Sequence, residues 1–261
     1  MNNRELINAK VALRELGKYE LPVRLSLKIR QMTRSINHLA EDVEAERQKI
    51  VDACVLKSDD GSPKTKSRNG AEVYDFGTNT ATFNAKLKEL MDADSAGMPA
   101  PIKASEFGDA RLPGWIVDGL GELVANNLFD TSTAPLTETR KAWYEAHDAL
   151  RGLLGYTMPV VVALRASLAL KALEDVYQTR KELIEAHAVK DEDGEPQVLI
   201  QEGRMLYEFG KNRNAFSAAD DTLGKEEAEI NLVQLQASEL PEDMILPPAL
   251  LAQLGDLMAD M

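Results

Sequence analysis

A chain of 261 residues has room for one large domain or two of ordinary size, and 44% hydrophobic content against 5% aromatic residues means cores built from Leu, Ile, Val, Ala and Met. A formal charge of −13 with a pI near 4.8 argues against direct binding to nucleic-acid phosphates or an anionic membrane surface, which need clustered cations. Cys54 is the only cysteine, which excludes an internal disulfide and a cysteine-based zinc site and fits a reducing compartment.

In chain order, residues 1–10 lack the apolar stretch of a secretory signal. A short helix is expected over residues 5–16, with Leu6, Leu13 and Leu16 at helical spacing, ending near Gly17. Pro22 then sits where helix starts favour proline, and a long helix follows. Its apolar seam reads Ile29, Met32, Ile36, Leu39, Val43, Ile50 and Cys54, in steps of three and four interrupted only at Glu46. Asp60-Gly61-Ser62-Pro63 should stop it, glycine as the left-handed cap and proline barring resumption. The polar stretch 64–70 reads as a loose loop. A short helix at 79–91, a strand at 102–104 and a last helix after Leu112-Pro113 complete the first half. The Asn-, Thr- and Ser-rich stretch 126–136 reads as a linker.

The second half repeats this order. A helix follows Thr137, a plausible N-cap, with Trp143, Ala146, Leu150 and Leu153 on one face and an end near Gly155. Pro159 opens a second long helix carrying Leu164, Leu168, Leu173, Val176, Leu183 and Ile184. Asp193-Gly194-Glu195-Pro196 stops it, and Glu202-Gly203 marks a hairpin between strands at 197–200 and 204–209. An alternating strand at 229–236 and a helix after Leu246-Pro247 close the chain.

The correspondence extends to individual residues. Residues 47–63 match 180–196 at an offset of 133, and Tyr74-Asp75-Phe76-Gly77 meets Tyr207-Glu208-Phe209-Gly210. Asn79 meets Asn212 and Phe83 meets Phe216. Upstream, Tyr19, Pro22 and Val23 meet Tyr156, Pro159 and Val160 at an offset of 137. The second long helix should therefore lack four residues, close to one helical turn. Past a one-residue slip, Leu112-Pro113 meets Leu246-Pro247 and the segment 120–123 meets 254–257. The expected architecture is α+β, mostly α. It has two homologous units, 1–125 and 137–261, joined by 126–136. Each is a helical hairpin of a short and a long heptad-like helix, with a small β-sheet and a C-terminal helix.

This order of signals resembles a class of small proteins encoded by tailed phages: a short helix, a Leu-Pro or Met-Pro step, a long charged helix, an Asp-Gly-x-Pro stop, then Ala237-Ser238-Glu239-Leu240 and a Leu-Pro-started helix. The resemblance implies a viral origin and a unit about half this length, and it carries over no catalytic residue.

No constellation of residues reads as catalytic, and no cofactor or metal is expected. Asp191, Asp193, Glu195 and Glu202 fall on a calcium-loop frame, but Pro196 takes the position that requires glycine, so a solvated turn is the better reading. His38, His147 and His187 lack ligand spacing, and His187 aligns with Cys54. Gly119-Leu120-Gly121 lacks the rest of a phosphate loop. Tyr74, Phe76 and Phe83 read as core.

Charge separates the halves. Residues 1–130 carry 18 Lys and Arg against 20 Asp and Glu, whereas residues 131–261 carry 12 against 23. Arg24, Lys28, Arg30 and Arg34 crowd the first turns of the first long helix, where cations oppose the helix dipole. That cluster is either a solvated face or a contact for an acidic surface, such as the second half of the same or another chain. Trp115 and Trp143 have no aromatic counterparts (Ala249 and Leu6), which makes them candidates for an interface between the halves or with a partner.

Two functions compete. One is a non-catalytic phage accessory or assembly protein acting through protein–protein contacts, with self-association among them. The other is an acidic inhibitor of a host defence or DNA-binding enzyme, acting by charge mimicry. The expected place is the cytoplasm of the infected host, or the virion.

Overall fold

The computed structural model describes residues 1–68, 71–125, 134–191, 194, 196–201, 204–241, 243–254 and 257–259. It is mainly helical with two-stranded sheets. The chain divides into two compact units, Met1–Ile102 with Gly119–Leu123, and Lys103–Asp118 with Val124–Met261. Residues 103–118, from the first half of the sequence, thus count with the second unit.

The first unit opens with α1 (Asn3–Leu16), started by a reciprocal cap. The Asn2 side-chain carbonyl accepts the Glu5 N–H at 2.9 Å, and Glu5 accepts the Asn2 N–H at 2.9 Å, satisfying two otherwise orphaned donors. α1 packs antiparallel to α2 (Val23–Cys54) through Leu6, Ala9, Leu13 and Leu16. The α2 seam is Leu25, Ile29, Met32, Ile36, Ala40, Val43, Val51 and Cys54. Ala40 and Val51 replace the expected Leu39 and Ile50, which stay half-buried. A straight helix drifts off a strict seven-residue repeat, so the buried stripe moves by one position over this length.

The expected Gly61 cap is not where α2 ends. The helix stops at Cys54, where Val55 turns extended. Gly61, at φ 83°, serves instead in a tight turn closed by a Lys57–Pro63 bridge and the Gly61 N–H to Ser58 carbonyl bond. The expected loose loop at 64–70 is also overturned. β1 (Thr65–Arg68) and β2 (Ala71–Tyr74) form a hairpin with Thr65 opposite Tyr74. Neither face of this ribbon is consistently apolar, which leaves no hydrophobic alternation to read. α3 (Thr80–Asp92) then packs on α2 and α1.

After β3 (Ile102–Lys103) comes a 3₁₀ turn at Ala104–Phe107, then β4 (Arg111–Pro113), α4 (Gly114–Leu120) and β5 (Val124–Ala125). β6 (Ala134–Thr139) occupies part of the expected linker; its residues 126–133 lie outside the described residues. Thr137 lies inside β6 opposite Glu229, so the cap of α5 (Arg140–Leu153) falls to Thr139, whose hydroxyl accepts the Ala142 N–H at 3.3 Å.

β7 (Thr157–Pro159) leads into α6 (Val160–His187). α2 has 32 residues and α6 has 28, a difference of four. β8 (Val198–Gln201) and β9 (Arg204–Tyr207) form a hairpin, and α7 (Arg213–Gly224) packs on α6. The expected strand at 229–236 is broken. β10 (Glu227–Leu232) pairs with β6, while β11 (Leu235–Gln236) pairs in parallel with β12 (Met258–Ala259) across α8 (Pro248–Leu254).

Local geometry recurs at the sequence offsets. The Asn79 side-chain amide donates to the Cys54 carbonyl at 3.0 Å, and that of Asn212 to the His187 carbonyl at 3.1 Å. Phe76 stacks on Phe83 at 4.0 Å, and Phe209 on Phe216 at 4.1 Å. Asn2 bridges Asp94 as Thr139 pairs with Glu227.

Candidate functional site

The turn between α1 and α2 is short because Gly17, Lys18 and Tyr19 close it with backbone bonds back to Leu13, Glu15 and Leu16. Pro22 then fixes the entry to α2 without a side-chain cap. Between the two helices at this end lies a cleft of 380 Å³. Leu13, Leu21 and Ile29 give it an apolar floor, and Arg14, Arg30 and Arg34 supply its cationic rim.

All four basic residues singled out in the sequence are exposed on α2, but only Arg30 and Arg34 line this cleft. Arg24 and Lys28 lie on another stripe of the helix. A feature that charge counting missed joins the two rim arginines. Val23, Leu27, Arg30 and Arg34 follow spacings of four, three and four, so they form one continuous row on the helix surface. Every member of that row is exposed. An apolar end running into a cationic end is a surface suited to a segment with apolar and acidic side chains.

The two tryptophans part company. Trp115 is exposed on α4. Trp143, expected at an interface, is buried inside the second unit, where its indole N–H donates to the Ala228 carbonyl at 2.9 Å. It anchors α5 on β10, which satisfies both the ring's area and its one donor. Tyr74, expected in the core, is exposed, while Phe76 and Phe83 share a half-buried stack.

The second unit holds a polar cluster that sequence reasoning did not assemble. The buried His147 ring of α5 stacks on Tyr177 of α6 at 3.8 Å, with its Nε2 3.7 Å from Glu174. Arg180 lies over the Tyr144 ring at 4.9 Å and donates two bonds, of 3.0 and 3.1 Å, to Asp220 of α7. Burial raises the pKa of both tyrosines. The helical spacing of Tyr144 with His147, and of Tyr177 with Arg180, was visible in the sequence; their convergence needed the packing of three helices. The cluster ties α5, α6 and α7 together.

Among the described residues, no group of three His, Cys, Asp or Glu is placed to hold a metal ion, and no helix is long and apolar enough to cross a membrane. Three members of the calcium frame, Asp193, Glu195 and Glu202, lie outside the described residues. No family model matches the chain, and no curated protein or solved structure is significantly similar to it.

Proposed function

We propose that the chain is a tandem duplication of one α+β unit, encoded by a tailed phage, and that it acts as a non-catalytic accessory or assembly protein through protein–protein contacts. The duplication is supported by hydrogen bonds and ring stacks that recur at the sequence offsets. The contact reading rests on one observation. The row Val23, Leu27, Arg30, Arg34 beside the α1–α2 cleft is an exposed amphipathic surface, not a closed pocket with acid–base groups. Duplicating a binding unit raises effective concentration without new chemistry, and diverged charges then distinguish the two ends.

The test is co-sedimentation of the purified chain with tail and capsid components of the encoding phage. The wild-type chain is expected to be retained, and the R30E/R34E variant released. Equal behaviour of the two, or no retention of either, defeats the reading. The excess of acidic residues in the second half favours a second reading, an inhibitor that mimics nucleic-acid charge for a host nuclease. That reading requires inhibition that collapses as salt rises; inhibition insensitive to salt removes it.

A further inference from the structure

Within the second unit, β4 lies antiparallel against β7, with Leu112 opposite Met158, Arg111 opposite Pro159 and Pro113 opposite Thr157. The contact continues past the strand. The Gly114 N–H donates to the Tyr156 carbonyl at 3.0 Å and the Trp115 N–H to the Leu154 carbonyl at 2.8 Å. β4 and the 3₁₀ turn before it pack on the start of α6. Val160 and Leu164 of α6 are buried, at 2% and 6% exposure.

At the offset of 137, β7 corresponds to Glu20-Leu21-Pro22, and Val160 and Leu164 correspond to Val23 and Leu27. Among the described residues no strand pairs with 20–22, and Val23 and Leu27 are 77% and 56% exposed. The acceptor half of the contact is thus present without its donor. The donor's own counterpart, at the offset of 134, is Ile245-Leu246-Pro247. That segment belongs to no sheet, and Ile245 is 87% exposed. One chain therefore makes this contact once and displays one unused half of it in each unit.

Resting on the duplication proposed above, we infer that the α1–α2 cleft and the row beside it bind the Ile245–Pro247 segment of a second copy of this chain. Leu246 lies opposite Leu21, Ile245 opposite Pro22 and Pro247 opposite Glu20. A glycine changes sides in this pairing. Gly114 has no room for a side chain, because a Cβ there would come within 2.8 Å of the Leu154 Cα. Pro248 stands at the Gly114 position and Gly17 at the Leu154 position, which relieves only the side-chain contact at 2.9 Å and not the backbone contacts at 2.8 and 3.0 Å, so the donor chain parts from the acceptor after Pro247. Pro248 has no N–H, so the bond that Gly114 makes is lost and the intermolecular contact is the weaker of the two. Charge favours the same partner, because the donor half carries 23 acidic against 12 basic residues while arginines rim the acceptor. Donor and acceptor are different surfaces, so the contact is head-to-tail and propagates unless its rotation closes a ring.

The experiment is sedimentation velocity of the full-length chain over a wide concentration range, with V23D/L27D and I245D as acceptor and donor variants. The substituted side chains are exposed, and circular dichroism checks the fold of each variant. The wild-type average mass is expected to climb well past a dimer. Each variant alone should lose about tenfold or more in association constant. Mixed, the two variants retain one intact acceptor and one intact donor, and should form one-to-one pairs that grow no further. A wild-type chain that is monomeric at every concentration overturns the inference, and so does association that survives both variants or a mixture that stays monomeric. A monomeric chain that still co-sediments with virion components overturns self-assembly alone and leaves the accessory reading standing.

Discussion

Single side chains in this molecule are constrained by what surrounds them more than by their type. The Tyr144 hydroxyl is buried next to the Arg140 guanidinium with no hydrogen-bond partner of good geometry, and burial raises its pKa above the ordinary tyrosine range. A raised phenol favours the neutral form in the folded state. Its contribution to stability is complete below the ordinary value of 10.0 and is lost as pH rises through the higher folded value. The melting temperature of the wild-type chain should accordingly fall above that pH. Y144F should fall less steeply, while at neutral pH it equals or exceeds wild type, because it removes a buried group that costs about 1–3 kcal/mol when left unpaired. Melting curves from neutral to strongly alkaline pH decide this; identical slopes for the two proteins count against it. Gly114 is a second such position. A methyl group there would meet the Leu154 backbone at 2.8 and 3.0 Å, and backbone yields poorly. G114A should lower stability by about 1–3 kcal/mol in chemical denaturation, the usual cost of overpacking.

Elements meet at matched joints. Each long helix gives one of its last carbonyls to the amide of an asparagine 25 residues on, Asn79 for Cys54 and Asn212 for His187. These bonds satisfy a helix-terminal acceptor and fix where the next helix starts. N79A and N212A should each destabilise by about 1 kcal/mol, and by similar amounts, since donor, acceptor and spacing are the same. Denaturant midpoints that diverge strongly between the two would show that the joints are not equivalent in energy. The helices and their order were legible in the sequence because their apolar spacing and proline starts are strong local signals. The α2 terminus was not, because glycine at Gly61 signals a left-handed turn equally well in a helix cap and in a tight bridge. The β1–β2 ribbon was invisible because polar residues dominate β1 and neither face of the pair alternates cleanly. The basic cluster on α2 is exposed, but charge alone grouped four residues that the helix separates into two stripes. The informative row needed Val23 and Leu27, which look like ordinary core residues until their burial is known.

Across the whole molecule, charge and apolar surface have distinguishable parts in the association inferred above. The cationic rim and the acidic second half attract over a distance set by ionic screening, whereas Val23 and Leu27 contribute only on contact. Exposed charges separated by more than the Debye length stop contributing, and that length shrinks from about 10 Å at about 0.1 M salt to about 3 Å at about 1 M. R30E/R34E should therefore weaken self-association most in dilute buffer, chiefly through slower encounter, and the difference from wild type should narrow as salt is added. V23D/L27D should fail at every salt concentration, because the apolar contact it removes is not screened. Sedimentation velocity of the three proteins at low and high salt separates the two effects. If salt erased wild-type assembly altogether, the contact would be electrostatic throughout, and the strand pairing of Leu246 with Leu21 would not be what holds it.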